Sequence, residues 1–335
     1  MYYRCTMKRE RSFLDFLVRR GRPVDLKSAA GMPLEKPVEV YADRLGIPHI
    51  FAQSEKDLFT AQGFIHAADR LWQMESIRRL AAGTLAEIAG EELADLDHFC
   101  RIAGFSRMRD SMIAALNGEE RSLFAAYAEG INAYIKFAGK NLPLEFRILK
   151  CKPAPWQAED LAGAMPLNAW FLQTNYTEEI LALLTRNNMT EELWNELYAV
   201  YPGETPPPEN FFKQYGKAVI GPLIPAALSF YPALKGVGTG REAVVIPGGS
   251  TTGGSNNWAV VRGINGKPVL ANDPHLDNSL PQIWHFCHLS CPGLNVCGGS
   301  LPGVPGVIIG RNEQVAWGLT NLMTDCCDLF IVDLD

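Results

Sequence analysis

The spacing of apolar residues changes character twice along the chain. Residues 38–52, VEVYADRLGIPHIFA, alternate apolar and polar positions around Asp43-Arg44-Leu45-Gly46, a pattern that predicts a β-hairpin with its turn at those four residues. From Glu55 to Gly90 the period becomes helical, with Phe64, Leu71, Met74 and Leu80 as candidate core positions. A second helical block runs from about Phe105 to Gly139 and stops before a Leu-Pro break, and 159–200 predicts two more helices. Residues 202–254 follow neither period. PGETPPPEN and the later Gly and Pro punctuation, ending in PGGSTTGG, read as a linker or an excised spacer. Alternation then returns, predicting short strands at 257–261, 267–271, 283–289, 306–309 and 315–319.

Helices followed by consecutive strands, with no βαβ alternation, predict an α+β or layered fold rather than a doubly wound one. The division that follows is an extension (1–37), a helical region (38–201), a linker or spacer (202–254) and a β region (255–335). Trp72, Trp156 and Trp170 read as core. Composition narrows the class without naming an activity. The chain has 335 residues, 47% of them hydrophobic and 20% charged, which excludes a wholly disordered polypeptide. A net charge of −6 leaves no electrostatic footprint for nucleic acid, and no apolar run reaches the length of a membrane span. The basic start, MYYRCTMKRERSFLDFLVRRGR, has no apolar signal core and no small-residue cleavage site. If it is the genuine start it predicts a cytoplasmic protein, whereas a start placed too far downstream would hide a signal. Eight cysteines are too sparse for a disulfide scaffold and read as reduced and mostly buried. The cluster His285, Cys287, His288 and Cys291 fits no zinc-finger spacing, and on a strand its members would point to opposite faces.

The sharpest local feature is Gly253-Gly254-Ser255-Asn256-Asn257-Trp258, a glycine run that feeds a serine at the start of a strand. No Gly-Lys-Ser/Thr follows to make a phosphate loop, and neither Ser250 nor Ser255 has the flanking glycines of a nucleophile elbow. Cutting the Gly254–Ser255 bond would give Ser255 a free α-amine. With an ordinary pKa near 8, that amine can act as general base for the serine's own hydroxyl.

GGSNNWAV, then ANDPHL, then SLPGVPGVIIGRNEQVAWGLTN, together with the stretch from VEVYADRLGIPHIFA to TLAEIAG, resemble the penicillin acylase (penicillin amidase) family of N-terminal-nucleophile hydrolases. The resemblance covers nearly all of residues 38–335 and implies an αββα layered fold with a helical α-chain region. It implies a precursor cut at Gly254–Ser255 into an α/β heterodimer, with Ser255 as nucleophile. His275 matches a histidine close to the nucleophile, with a hydrogen-bond role toward the Ser255 amine or hydroxyl. Asn321 occupies the position whose backbone N–H supplies one oxyanion donor. The second donor, a side-chain amide far along the family's longer β-chains, would lie beyond Asp335, so the chain reads as a fragment. The alternative is a truncated, non-catalytic remnant of the family.

The resemblance further implies a structural calcium ion and no organic cofactor. Asp325 and Asp328 match two aspartate ligands, Glu179 matches a glutamate from the α-chain with Glu178 as its rival, and the main-chain carbonyl of Cys327 is a further candidate. The acyl pocket would be lined in part by Leu276, Ile309 and Leu319. All three are uncharged, which disfavours a dicarboxylic acyl group and favours an aliphatic or aromatic one. A β-lactam, an acyl-homoserine lactone and an N-acyl amino acid all remain open as substrates. By resemblance the compartment would be periplasmic or extracellular. No nucleic-acid or membrane partner is expected.

Overall fold

The computed structural model describes residues 31–172, 190–197, 255–263, 266–276 and 279–322. They fall into two compact units, neither continuous in sequence. The first takes the described residues up to Pro166 together with Ser279–Gly318, and the second those from Leu167 to Leu276 with Leu319–Leu322.

The first unit opens with the expected hairpin. Strands β1 (Glu39–Ala42) and β2 (Pro48–Phe51) pair antiparallel. The Asp43 carboxylate accepts from the N–H groups of Leu45 (2.8 Å) and Ile47 (3.0 Å), which fixes the turn. Helix α1 (Glu55–Ala82) follows. Ser54 caps it by accepting from Asp57 N–H, and Gly83, in the left-handed region, ends it. The helical reading to Gly90 is therefore interrupted. A short helix α2 (Ala86–Ala89) and a single 3-10 turn (Glu91–Leu93) follow the break. Next comes α3 (Ala94–Ala103), which the apolar spacing did not predict.

The expected block from Phe105 to Gly139 is two helices, α4 (Phe105–Ala115) and α5 (Gly118–Ala138). Asn117 separates them. Its side chain accepts from Glu119 and Glu120 N–H while the Glu120 carboxylate takes Asn117 N–H, a capping box that starts α5 afresh. Helices α6 (Leu144–Ile148), α7 (Ala158–Leu172, with Pro166 inside) and α8 (Glu191–Leu197) complete the described helical part. Among the described residues no helix is long and apolar enough to cross a membrane.

The strands of the first unit are β1, β2, β5 (His285–Cys291), β6 (Leu294–Ser300), β7 (Ile309–Arg311) and β8 (Ala316–Trp317). They form one sheet in the order β1-β2-β5-β6-β7-β8, parallel only between β2 and β5. One strand expectation is corrected and one strand is new. The stretch 306–309 is mostly loop, and only Ile309 joins β7. Strand β6 was not predicted, because LNVCGGS lacks alternation and carries glycines. Those glycines have a structural cause: a Cβ on Gly298 would sit 2.1 Å from the Ile309 carbonyl oxygen. Strands β6 and β7 could not pair so closely with side chains there. The architecture is α+β, as expected.

Helix α1 is buried on two sides. One side joins Phe64, Leu71 and Met74 to Tyr127, Ile131, Phe146 and Trp156, and the other joins Leu58, Ala61 and Ile65 to Ile50, Cys287 and Leu289 of the sheet. All four predicted core positions are buried, as is Trp156, and Trp72 packs against this core half-buried. Helices α1 and α5 touch backbone to backbone. A Cβ on Gly63 would lie 2.1 Å from the Tyr127 carbonyl oxygen, and one on Gly130 1.9 Å from that of Thr60. Replacing Gly130 by Ala is thus expected to pry the helices apart and cost about 1–3 kcal/mol, the usual range for overpacking. Gly118→Ala, with open space around its Cβ, should be neutral or slightly stabilising. Thermal melts of the two variants would check this, and equal melting temperatures would contradict it.

Candidate functional site

The second unit holds most of the predicted site. Strands β3 (Ser255–Val260) and β4 (Val269–Pro274) form an antiparallel pair, with Ser255 opposite Pro274, Asn256 opposite Asp273 and Asn257 opposite Asn272. Strand β3 begins two residues earlier than its alternation predicts, so Ser255 is itself the first ladder residue. Cross-strand partners share a face, and side chains alternate along each strand. Ser255, Asn257, Asn272 and Pro274 therefore lie on one face, and Asn256, Trp258, Ala271 and Asp273 on the other. The Ser255 face is the more covered, since Leu270, Asn272 and Pro274 are partly buried while the alternate β4 residues are exposed.

His275 is one residue past the cross-strand partner of Ser255. Its imidazole joins the opposite face, with Nε2 3.1 Å from Asp273 Oδ2 and 3.3 Å from Asn256 Nδ2. One ring nitrogen cannot donate to a carboxylate and accept from an amide at once. When Nε2 carries a proton it donates to Asp273. When it does not, it accepts from Asn256. The ring tautomer thus selects His275's partner beside strand β3.

A single side-chain amide connects this hairpin to the predicted oxyanion segment. Asn272 Nδ2 donates to the carbonyls of Leu319 (2.9 Å) and Asn256 (3.2 Å), and Leu319 N–H donates back to Asn272 Oδ1 (3.3 Å). Asn321 lies two residues on, and its side-chain amide donates to the Leu172 carbonyl. Leu276 is partly buried and Leu319 half exposed, both in this unit. Ile309 belongs to the first unit, where its side chain and the Trp284 ring cover Gly299. Ser255, His275, Leu276, Leu319 and Asn321 are thus brought into one unit, and Ile309 is not. Gly254, Glu178, Glu179, Asp325, Cys327 and Asp328 lie outside the described residues. Asn272 was missed by sequence reasoning. No local spacing marks it, because its place on the Ser255 face is set by the cross-strand register.

The cluster that suggested zinc is divided by its strand. His285, Cys287 and Leu289 turn toward the core, with His285 Nε2 2.9 Å from Asp69, while His288 turns the other way and meets Asn295 at 2.7 Å. The first unit also contains a serine–histidine contact, His66 Nε2 to Ser300 Oγ at 2.9 Å. The Ser300 hydroxyl spends its one proton on the His285 carbonyl (2.5 Å), so it accepts from His66. His66 Nδ1 then accepts from the Tyr127 hydroxyl (2.6 Å), which in turn accepts from Gly303 N–H (3.1 Å). This fixes His66 as the neutral Nε2–H form. Both His66 and Ser300 are 0% exposed, so the pair is a sealed structural network that no substrate can reach. A pit between Arg78, Arg109 and Asp160, about 10 Å³ in volume, holds no more than a water.

Comparison with known proteins identifies a family. A sequence profile of the family described as penicillin amidase matches residues 37–335. The acyl-homoserine lactone acylase QuiP of Pseudomonas aeruginosa is similar at 31% identity, over 90% of this chain and 35% of that protein. The penicillin acylase 2 proenzyme of Pseudomonas sp. strain SE83 is similar at 33% identity, over 89% of this chain and 38% of that one. Penicillin G acylase of Escherichia coli is similar at 28% identity, over 88% and 40%. The chain therefore spans well under half the length of these relatives.

The sealed histidine has a measurable consequence. Burial first, then the neighbouring His285 and Arg70, hold the His66 pKa well below the usual imidazole value. The unfolded side chain protonates near pH 6.5 and the folded one does not, so the unfolded state binds more protons below that pH. Stability contributed by this group is complete above about pH 6.5 and declines as the pH falls below it. Denaturant midpoints measured from pH 7.5 to 5 should drop, and His66→Gln, though less stable at pH 7.5, should show a shallower drop. Parallel pH profiles for the two proteins would contradict this.

Proposed function

The chain belongs to the penicillin amidase family, and from that premise we propose that it carries the nucleophile of an amidohydrolase made as a self-cleaving precursor. In this reading the α+β architecture is part of the αββα layered arrangement of N-terminal-nucleophile hydrolases, and 202–254 is a spacer. The observation that carries the reading is the strand register. Ser255 is the first residue of a two-stranded ladder, directly after a glycine run, so a cut before it leaves the serine at the paired end of a strand, opposite Pro274. The names of the relatives support the reaction class, since all three are acylases. The word proenzyme in one of them supports the processing.

Mechanism follows from the residues. In processing, Ser255 Oγ attacks the Gly254 carbonyl carbon. The C–N bond breaks as the acyl group passes from nitrogen to oxygen, and water hydrolyses the resulting ester. The products are a carboxylate at Gly254 and a free amine and hydroxyl on Ser255, in an α/β heterodimer. In turnover, the amine, with an ordinary pKa of about 8, takes the Oγ proton through a bridging water. Oγ then attacks the substrate amide, and the Asn321 N–H donates to the developing oxyanion. The proton passes to the leaving amine, and water releases the acyl group from Ser255. His275 orients the freed amine. That amine belongs to the backbone and is not confined to the Ser255 side-chain face, so His275 can serve it from the Asp273 side.

The acyl group in this proposal is aliphatic or aromatic, received by the uncharged Leu276 and Leu319. The leaving group is the amine of a β-lactam nucleus, a homoserine lactone or an amino acid. Glu179 (with Glu178 as its rival), Asp325, Asp328 and the Cys327 carbonyl supply only oxygen donors, a set that fits a hard cation such as calcium. When bound, the ion would hold the two halves of the cut chain together.

Two outcomes test the proposal. Ser255→Ala should leave the precursor uncut and inactive, while Ser255→Cys still cuts. On phenylacetyl and medium-chain acyl amides, mass spectrometry of the quenched wild-type protein should find the acyl group as an ester on Ser255. Normal cleavage of Ser255→Ala, or an acyl group carried elsewhere, would overturn the assignment. Separately, chelation should lower the melting temperature, added calcium should restore it by mass action, and Asp328→Ala should abolish the response. A melt indifferent to both additions would remove the ion.

A further inference from the structure

We propose that Asn272 is a positioning residue for acyl transfer, its carboxamide setting the oxyanion donor at Asn321 against the strand that begins with Ser255. This role rests on the acylase reading and concerns geometry within that site. One planar amide spans the gap between the two halves of the chemistry. Its Nδ2 donates to the carbonyl of Asn256, the residue after the nucleophile, and to the carbonyl of Leu319, two residues before the oxyanion donor. Its Oδ1 accepts from the Leu319 N–H. The paired bonds with Leu319 form a closed ring that fixes both the distance and the orientation of that peptide, which a single hydrogen bond cannot do.

Burial of apolar surface does not substitute for this tether. The Leu319 side chain is 53% exposed and Leu322 85% exposed, so little packing anchors the segment. Asn321's own amide holds the far end through the Leu172 carbonyl, leaving Asn272 as the clamp on the nucleophile side. The strand register puts Asn272 on the same face as Ser255, whereas His275 and Asp273 are on the other. Asn272 therefore brings the oxyanion segment to the face that carries the attacking hydroxyl. An oxyanion donor contributes only if it meets the position where charge develops, and a misplacement near 1 Å can cost about 10² in rate.

Two variants separate this role from a general structural one. Asn272→Ala removes both arms of the ring. Asn272→Asp keeps the shape and the acceptor for Leu319 N–H, but loses the donor and sets a carboxylate oxygen against the Leu319 carbonyl. In the self-cleaved protein, assayed on a phenylacetyl amide, both should lower kcat by about 10- to 100-fold and leave KM within about threefold, because only the transition state uses the oxyanion donor. Hydrogen exchange at the Leu319 amide should speed up in Asn272→Ala, which alone removes its acceptor, with exchange in the β3–β4 ladder unchanged. Unchanged kcat, or a loss confined to KM, would overturn the role. If Asn272→Ala fails to self-cleave, the exchange readout on its uncut chain decides: unaltered protection at Leu319 overturns the tether. A wild-type protein that neither cuts nor turns over would instead overturn the acylase reading, and the positioning role with it.

Discussion

Three side-chain carboxamides each close a two-bond ring with the main chain of one distant residue, and the irregular parts of the protein hang on these rings. Gln62 accepts from Gly306 N–H at 2.8 Å and donates to its carbonyl at 2.9 Å. Asn132 does the same with Trp156, both bonds at 2.8 Å. Asn272 does so with Leu319. The constraint behind them is general. A peptide withdrawn from water needs partners for both its N–H and its C=O, and loops rich in Gly and Pro have no ladder to supply them. A carboxamide carries one donor side and one acceptor side in a plane, so it can stand in for a neighbouring strand's peptide.

The same need for pairing explains why helix α1 is central to the first unit although its surface is not strongly apolar. It passes between the sheet and α5 and buries Asp57, Gln62, His66 and Glu75 with the leucines and phenylalanines. Each of these polar groups is matched. Asp57 accepts from Glu35 and Lys36 N–H, Glu75 pairs with Arg78 and Arg79, and His66 bridges Tyr127 and Ser300. Removing one partner would strand the other in a dry interior, typically at about 1–3 kcal/mol. The loop 301–308 is fixed to this helix layer by two such contacts, Gln62 with Gly306 and Tyr127 with Gly303.

Local pattern carried much of this architecture. The β1–β2 hairpin, the core stripe of α1 and the return to strands after residue 254 all follow from periodicity. Two helix boundaries were lost where capping outweighed the apolar stripe, at Gly83 and at Asn117. The box Asn117-Gly118-Glu119-Glu120 was visible in the chain as written. Strand β6 was illegible because close backbone approach selected glycines where side chains would have alternated. At the candidate site, the place of Ser255 at the head of a strand was legible from the glycine run before it. The face carrying His275 and the tether made by Asn272 were not. Both depend on strand register, which pairs residues too distant along the chain for local spacing to reveal.

The proposed chemistry turns on Ser255 becoming a chain end. The most direct measurement is the intact mass and N-terminal sequence of the freshly purified protein. A newly exposed N-terminus reading Ser-Asn-Asn-Trp is expected, on a fragment whose mass begins at Ser255. A single uncut polypeptide under folding conditions, or a cut that leaves any other residue at the new terminus, would contradict it.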